Sequence, residues 1–254
     1  MAPSITTINT FEPSVICFGP VERNSRGGKF IPIVGKNGTK TRMTVQFPTL
    51  HLPFGISGYR EKPEDEPASY SADLSFRGIN DNENIQILLD KMDALDKHLL
   101  DAAYENSMAW FGRQKSREVL EHTYRKLTKV DATGKYPPIL KTKIAMMNGK
   151  PNVHIFDVDR TPITIEDVPR GSSVKVIAEI ASIWHVGSTA WGVTFRAVQI
   201  LVVEKPNKLS TFAFVDDGDD IPGDSGKESG SDDANGDDAN DDDANDDDMY
   251  DKFL

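Results

Sequence analysis

An abrupt change of composition at residue 216 limits the part of this chain that can fold. From Asp216 to Leu254 there are 17 acidic and 2 basic residues, few large apolar ones, and the string DDAN three times, starting at positions 232, 237 and 242. Such a segment cannot bury enough apolar surface to offset the entropy of ordering it. We therefore expect a disordered acidic tail over residues 216–254 and a folded domain within residues 1–215.

The charge of the chain is divided between these two parts. The tail carries −15 and the whole chain −11, so residues 1–215 carry +4. A mildly basic body beside an acidic arm is typical of nucleic-acid-binding and interaction proteins. As a flexible coil, the 39-residue tail spans about 35 Å, and the body has an expected radius of gyration of about 17 Å. The tail can therefore reach a basic surface on its own molecule.

Several classes of protein are disfavoured by the sequence. The N-terminus, MAPSITTINTFEPS, lacks the basic start and apolar centre of a signal peptide, and no apolar run approaches the length of a membrane span. The five histidines and the single cysteine, Cys17, show no close ligand pairing, and the tail lacks the spacing of an EF-hand. We expect an intracellular protein with no membrane partner, no metal site and no cofactor.

Alternating apolar residues predict strands on both sides of a helical segment. KFIPIV and TRMTVQF flank an Asn37-Gly38 turn, ILKTKIAMM and VHIFDV flank NGKPN, and two long apolar segments flank GST. Between them, a stripe at three- and four-residue spacing predicts a long helix ending near Phe111-Gly112. A second helix is predicted from Lys115 to about Lys129. The inward positions predicted for these two helices are Ile85, Leu88, Met92, Leu95, Leu99 and Ala102, then Val119, Leu120, Tyr124 and Leu127.

This order of elements predicts a mainly β fold. Strands before and after a helical insertion at about residues 81–129, with three hairpin signals, are typical of an antiparallel sheet closed or nearly closed on itself. An OB-fold-like antiparallel barrel fits best, and a β-sandwich is the alternative.

One string resembles a catalytic motif. VHIFDVDRT places Asp157 and Asp159 as in the nucleophile loop of haloacid-dehalogenase-type phosphatases, where the first carboxylate attacks phosphorus. That chemistry needs a parallel α/β sheet with further catalytic segments, and the residues that follow here predict a β-hairpin. We interpret the string as a strand running into a turn and expect no catalytic residues.

Basic and aromatic residues provide the candidate binding surface. In KTRMTVQF, Lys40 and Arg42 share one strand face, and in LKTKIAM, Lys141 and Lys143 stand opposite apolar residues. Cations along a groove, with rings on which bases stack at about 1–3 kcal/mol each, suit sequence-tolerant binding of single strands. The alternative is that the rings are core and the lysines a solvated face. The predicted DNA-binding residues are Lys40, Arg42, Phe54, Tyr59, Arg60, Lys141, Lys143, Trp191 and Arg196.

The tail ends on two bulky apolar residues, Phe253 and Leu254. A polyanionic arm mimics a nucleic-acid backbone, so it can compete for the groove, with an attraction that weakens as salt rises. When nucleic acid displaces the tail, each of the two side chains can gain about 1.5–3 kcal/mol in a partner's pocket. Many copies on one strand add avidity. We predict that this pair binds partners.

The stretches LPFGISGY, YPPILKTKI and SIWHVGSTAWGVTFRAVQILVV, with the tail, resemble a known family. The layout of residues 12–205 is similar to the single-stranded-DNA-binding proteins of T-seven-type phages, and closest to those of large nucleocytoplasmic DNA viruses, particularly algal ones. The phage tail ends on Phe, whereas here Leu254 follows it.

The resemblance implies coating of single-stranded DNA in replication, recombination and repair at sites of viral DNA replication. It also implies tail contacts with polymerase, helicase or primase, and a homodimer as one option. The alternative function is an acidic-tailed chaperone for histones or other basic proteins.

Overall fold

The computed structural model describes residues 5–24, 27–34, 42–187 and 189–206. The acidic tail, the Asn37-Gly38 turn, Lys40 and the Phe253-Leu254 pair lie outside the described residues. The predictions made for them stay predictions.

Short strands on either side of a helical segment make up the described chain. The helices are α1 (Glu83–Glu105), α2 (Ser107–Phe111) and α3 (Arg117–Thr123), with a short 3-10 helix at Pro13–Val15. The strands are β1 (Ile5–Thr7), β2 (Cys17–Phe18), β3 (Glu22–Arg23), β4 (Lys29–Val34), β5 (Met43–Gln46), β6 (Leu50–Leu52), β7 (Ile56–Tyr59), β8 (Ser69–Ser75), β9 (Thr128–Lys129), β10 (Ile139–Ile144), β11 (Met146–Met147), β12 (Lys150–Pro151), β13 (His154–Phe156), β14 (Pro162–Ile163), β15 (Ser172–Val186) and β16 (Ala190–Glu204).

Five strands close into a barrel. β15 pairs with β6, β6 with β8, β8 with β10, β10 with β16, and β16 returns to β15. The helices lie in the chain between β8 and β10. The predicted OB-fold-like barrel with a helical insertion is confirmed, and the sandwich alternative is wrong because one ring of strands encloses the core.

One pair in the ring departs from the predicted antiparallel order. β10 and β16 run parallel, whereas the other four pairs are antiparallel. A ring with an odd number of strands cannot alternate direction all the way round, so at least one neighbouring pair must be parallel. Hairpin signals in the sequence describe only consecutive strands and do not reveal this closing pair.

Alternation along the strands separates an inner face from an outer face. On β10, Leu140, Thr142 and Ile144 are buried while the residues between them are partly exposed. On β15, burial alternates in the same way from Ser172 to Ile180. The inward side chains and the apolar face of the helical segment form one continuous hydrophobic core.

Two of the three predicted turns are described. Asn148 and Gly149 have φ of 53° and 75° and join β11 to β12, because both residues tolerate the left-handed conformation that such a tight hairpin requires. The turn after β15 contains Gly187 at φ 52° and brings Val186 opposite Ala190. The longer hairpin predicted between the segments ILKTKIAMM and VHIFDV is wrong, because β13 pairs in parallel with β16.

The helical segment is broken more often than the sequence predicts. α1 begins after Asn82, whose side-chain oxygen accepts a hydrogen bond from the Asn84 backbone N–H, and the predicted stripe on its inner face is buried. α3 ends at Thr123, and Val119, predicted to face inward, is 42% exposed. No helix within the described ranges combines the length and apolar character needed to cross a membrane.

A buried polar contact joins the helical segment to the barrel. The Tyr124 hydroxyl donates to Oδ1 of Asp96 on α1 at 2.7 Å, and the Leu127 backbone N–H donates to the same oxygen at 3.3 Å. The Tyr124 ring packs 4.6 Å from the ring of Trp191 on β16, and the Trp191 indole N–H donates to the Leu120 carbonyl at 3.0 Å. Tyr124 therefore connects Asp96 on α1 to Trp191 at the start of β16.

Burial makes the Asp96 carboxylate costly at neutral pH. The side chain is 6% exposed, and this desolvation raises its pKa to about 6, with the hydrogen bonds from Tyr124 and Leu127 opposing the rise. Because the folded-state pKa lies above the unfolded value, protonation stabilises the fold. The stabilisation is complete below about pH 4 and is lost as the pH rises through about 6.

Asp96→Asn should therefore remove a pH dependence of stability. Between pH 7.5 and pH 4.5, the unfolding free energy of the wild type should rise by about 2 kcal/mol relative to that of Asp96→Asn, because only the wild type gains from protonation at this position. Urea titrations at the two pH values measure the difference, and other titrating groups cancel because both proteins contain them. The exposed Asp90→Asn on the same helix is the control and should follow the wild type. Equal shifts in Asp96→Asn and the wild type would contradict the assignment.

Candidate functional site

A row of polar side chains crosses the outer face of the barrel. The strand register places Ser71 of β8 beside Lys143 of β10, Lys143 beside Arg196 of β16, Arg196 opposite Glu179 of β15, and Glu179 opposite Thr44 of β5. We call these five residues the central row. Because directly paired residues in a sheet share a face, this row is one continuous strip across five strands, in which Thr44 is buried and the other four side chains are partly exposed.

Two like charges lie side by side in the central row. Lys143 and Arg196 occupy paired positions on neighbouring strands, and like charges so placed destabilise a sheet. Glu179 on the far side of Arg196 offsets part of this charge. Lys143 and Arg196 are the two cations of the row, so this pair is the part of the row best suited to contact a phosphate.

Arg42 joins the same surface from the chain just before β5. Arg42, Arg196 and Glu179 line one cleft of about 370 Å³, together with Glu22 and Phe30. The structure thus brings together three of the predicted cations, Arg42, Lys143 and Arg196, although they are separated by up to 154 positions in the sequence.

Lys141 is placed differently from Lys143. It lies two residues earlier on β10, on the same outer face, and its partner across β8 is Asp73. An opposite charge directly across the strand pair lowers the local positive potential. Lys141 therefore has an acidic residue beside it on the same face.

Three further predicted residues, Phe54, Tyr59 and Arg60, lie around β7. Tyr59 is half-buried on β7 opposite Ser69 of β8, Arg60 is exposed immediately after it, and Phe54 is 55% exposed in the turn between β6 and β7. They are partly exposed, as contact residues must be, but β7 joins the sheet through β8. They therefore stand apart from the cleft of Arg42 and Arg196.

The stacking role predicted for Trp191 is wrong. Its side chain is 1% exposed and packs against the rings of Tyr124 and Phe111 in the core. Its indole N–H is bonded to the Leu120 carbonyl. A base could reach this ring only if the helical segment left the barrel. Trp191 follows a turn in an apolar strand, and the sequence pattern did not show that the helical segment covers it.

A second cleft lies on the outer face of β5, β13, β15 and β16, and the sequence pattern did not predict it. It has a volume of about 450 Å³, and its walls include Phe156, Ile177 and Leu201, the amides Gln46 and Gln199, and the cations Arg160 and Lys175. We call it the Phe156 cleft. Alternation of buried and exposed positions along SSVKVIAEI predicts that Lys175 and Ile177 share the outer face, so this part of the Phe156 cleft could have been predicted from the sequence.

A bulge in β16 connects the two clefts. Ala178 pairs with Ala197, whereas the preceding Ile177 pairs with Gln199, so Val198 is an extra residue in this strand. In a regular strand, two residues three positions apart, such as Arg196 and Gln199, would face opposite sides of the sheet, because successive side chains alternate. The bulge thus puts Gln199 and Arg196 on the same outer face. Ile177 and Glu179 stand two residues apart on β15, so the clefts follow each other at about 7 Å.

The phosphatase-like string forms a turn within this barrel. Asp157 accepts a hydrogen bond from the Thr161 backbone N–H at 2.8 Å, and β13 before it pairs with β16 and β14. The parallel α/β sheet on which that chemistry depends is not the fold observed. In the ranges that the structure covers, no cluster of three or more His, Cys, Asp or Glu side chains is placed to hold a metal ion.

The fold and surface define a mainly β, OB-fold-like barrel protein. Its outer face carries a cationic strip formed by Arg42, Lys143 and Arg196. The chain belongs to a family of unknown function, DUF5871, whose model matches residues 77–216, more than half of the sequence.

One curated protein shows distant sequence similarity. Ribosomal RNA small subunit methyltransferase H of Rickettsia felis is 26% identical over 184 residues, which cover 66% of this chain and 56% of that protein. The chain thus spans little more than half the length of this relative. A match so distant assigns no methyltransferase activity to the chain.

Solved structures with a similar layout are also distant in sequence. The single-stranded DNA-binding protein of bacteriophage Enc34, in complex with ssDNA, is 10% identical with a TM-score of 0.42, covering 76% of this chain and 98% of that one. Gp2.5, a single-stranded DNA-binding protein encoded by bacteriophage T7, is 17% identical with a TM-score of 0.44, covering 68% and 97%. Likenesses this distant leave the ligand of this chain to be inferred from its own residues.

Trp191→Phe tests whether this residue belongs to the core or to a binding surface. The substitution removes the indole N–H, which leaves the Thr123 hydroxyl as the other donor to the Leu120 carbonyl, and it removes part of a buried ring, so we expect a loss of about 1–3 kcal/mol in the unfolding free energy. Urea titration measures the loss, and the exposed Tyr104→Phe on α1 is the control. Unchanged stability together with weaker oligonucleotide binding would restore the stacking role.

Proposed function

We propose that this protein binds single-stranded DNA, without catalysing a reaction, on the outer face formed by β5, β10, β15 and β16. The observation that carries the proposal is the cross-strand juxtaposition of Lys143 and Arg196, with Arg42 lining the same cleft as Arg196. Three cations gathered on one face of the sheet from three separate parts of the chain provide an electrostatic path for a phosphate backbone.

The charge of α1 favours the sheet over this helix as the binding element. α1, the long helix of the described chain, carries six carboxylate residues and two lysines over its 23 residues. Such a helix is repelled by duplex DNA and is unsuited to the major groove, where recognition helices of many DNA-binding proteins lie. A curved sheet with cations and partly exposed rings is instead suited to an unpaired strand, whose bases are free to stack.

The proposed role is to coat single-stranded DNA during viral DNA replication, recombination and repair inside the host cell. The acidic tail, with its charge of −15, competes with DNA for the cationic strip, and Phe253 and Leu254 bind a polymerase, helicase or primase when the tail is displaced. Phe54, Tyr59, Arg60 and Lys141 extend the DNA path beyond the central row, and Lys40 is a further predicted DNA contact. A homodimer is compatible with this role.

The salt dependence of binding tests the two cations of the central row. Each phosphate contact that is lost should lower the slope of log K against log salt by about 0.7 for a single strand. We therefore expect Lys143→Gln and Arg196→Gln each to weaken binding of an oligo-dT and to reduce this slope, as measured by fluorescence anisotropy at several salt concentrations. Lys97→Gln, which removes an exposed cation from α1, is the matched control. Slopes equal to the wild type in both variants would refute the proposed path.

Deletion of residues 216–254 tests self-competition by the tail. The truncated protein should bind single-stranded DNA more tightly than the full chain. The gain should be largest at low salt, because salt screens the attraction between the tail and the cationic strip. Anisotropy titrations of both proteins at two salt concentrations measure this difference. Equal or weaker binding by the truncated protein would count against competition.

A second candidate function is favoured by the density of acidic residues in the tail. As a chaperone for histones or other basic proteins, the chain would use the tail as its active part and the barrel as a scaffold. Tail deletion would then abolish histone binding, and the body alone would bind no DNA. Titrations of the truncated body with single-stranded DNA, duplex DNA, single-stranded RNA and histone separate the two functions.

A further inference from the structure

The Phe156 cleft combines features that the rest of the outer face does not share. Its apolar walls come from the half-buried side chains of Phe156, Ile177 and Leu201, and the amides of Gln46 and Gln199 stand at its rim. Ile177 is paired with Gln46 on one side and Gln199 on the other, so the two amides flank an apolar side chain in one cross-strand row. An apolar floor with polar groups at its edges suits a flat heterocycle.

The charge of this cleft is also distinctive. Arg160 and Lys175 are its ionisable wall residues, whereas the neighbouring cleft of Arg42 and Arg196 includes two glutamates. The nearby Asp157 carboxylate accepts a hydrogen bond from its own turn at Thr161. The cleft therefore presents positive charge beside an apolar surface, which is the combination found in a nucleotide site.

The strained backbone of Arg160 supports a functional role for its side chain. This residue has a φ of 63°, in the left-handed region that a residue with a side chain adopts at a cost. A glycine would adopt the same turn without that cost. The turn nevertheless places an exposed arginine at the edge of the Phe156 cleft, where its side chain can reach an anion.

We propose that the Phe156 cleft holds one nucleobase of the bound strand. The base stacks on Phe156 and contacts Ile177 and Leu201, Gln46 and Gln199 hydrogen-bond to its edge, and Arg160 and Lys175 contact the flanking phosphates. An amide both donates and accepts, so either glutamine can turn to suit different bases. The strand continues about 7 Å along β15 to the cleft of Arg42 and Arg196. This inference rests on the proposed single-strand binding and specifies where a base is held.

The test compares Phe156→Ala with the wild type, both as the full chain, on two probes of equal length and charge. One probe is an oligo-dT, and the other has the same sugar-phosphate backbone without bases. Loss of a stacked base should weaken binding of the oligo-dT by about 5- to 150-fold. Binding of the abasic probe should stay at the wild-type value, and the salt slope on oligo-dT should not change because no cation has been removed.

Four further variants make the result interpretable. Phe156→Tyr keeps the ring and should restore binding, Gln199→Ala should weaken oligo-dT binding while changing only an exposed side chain, and Lys175→Gln should lower the salt slope on both probes. Tyr104→Ala removes an exposed ring from α1 and should bind as the wild type does. If Phe156→Ala fails to fold, Gln199→Ala decides the matter: weaker binding of oligo-dT alone supports the base site, and an unchanged affinity or an equal loss on both probes overturns it.

The outcomes distinguish this inference from the proposed function. Wild-type affinity of Phe156→Ala for oligo-dT, or an equal loss on both probes, overturns the base site. If these results occur while Arg196→Gln still lowers the salt slope, single-strand binding stands and only the base site fails. If the wild-type chain, with or without its tail, binds neither probe at low salt, the proposed function itself fails.

Discussion

The antiparallel pairing of β15 with β16 is the interaction on which the rest of the structure depends. Each strand has 15 residues, and together they contact β4, β5, β6, β10 and β13. The shorter strands therefore have a common template, and a barrel can close although many of them have only two to four residues. The same two strands contribute Arg196, Lys175 and Gln199 to the outer face, so the element that organises the core also presents the candidate site.

The candidate site depends on positions that no local pattern shows together. Arg42, Lys143 and Arg196 come from three distant parts of the chain and meet because β5 and β10 pair with opposite sides of the β15–β16 ribbon. Glu179 on β15 is paired with Arg196 and offsets part of this positive charge. In the proposed function, the acidic tail and a nucleic acid compete for these cations through electrostatic attraction alone.

The sequence revealed local structure better than long-range closure. The stripe of α1, the Asn148-Gly149 turn and the alternation on β10 were predictable because each depends on residues a few positions apart. The parallel β10–β16 pair was not, because it follows from the count of strands in a ring. The exposure of Trp191 was also mispredicted, since its cover comes from Tyr124 and Phe111 in the helical segment. Arg42, Lys143 and Arg196 were recognisable as basic strand residues, whereas the Phe156 cleft required the register of four strands.

The extra residue at Val198 separates the spacing of the outer face from the packing of the core. Beyond the bulge, Ile200 and Val202 are buried, and Gln199 is exposed. Deletion of Val198 would leave Gln199 outward and both Ile200 and Val202 inward, because Ile177 and Ala178 would still pair with Gln199 and Ala197. Such a mutant would keep its buried face and lose the local bend that the extra residue puts into β16. A change of one codon at this position can therefore alter the spacing between the outward side chains of Arg196 and Gln199 while the core is preserved.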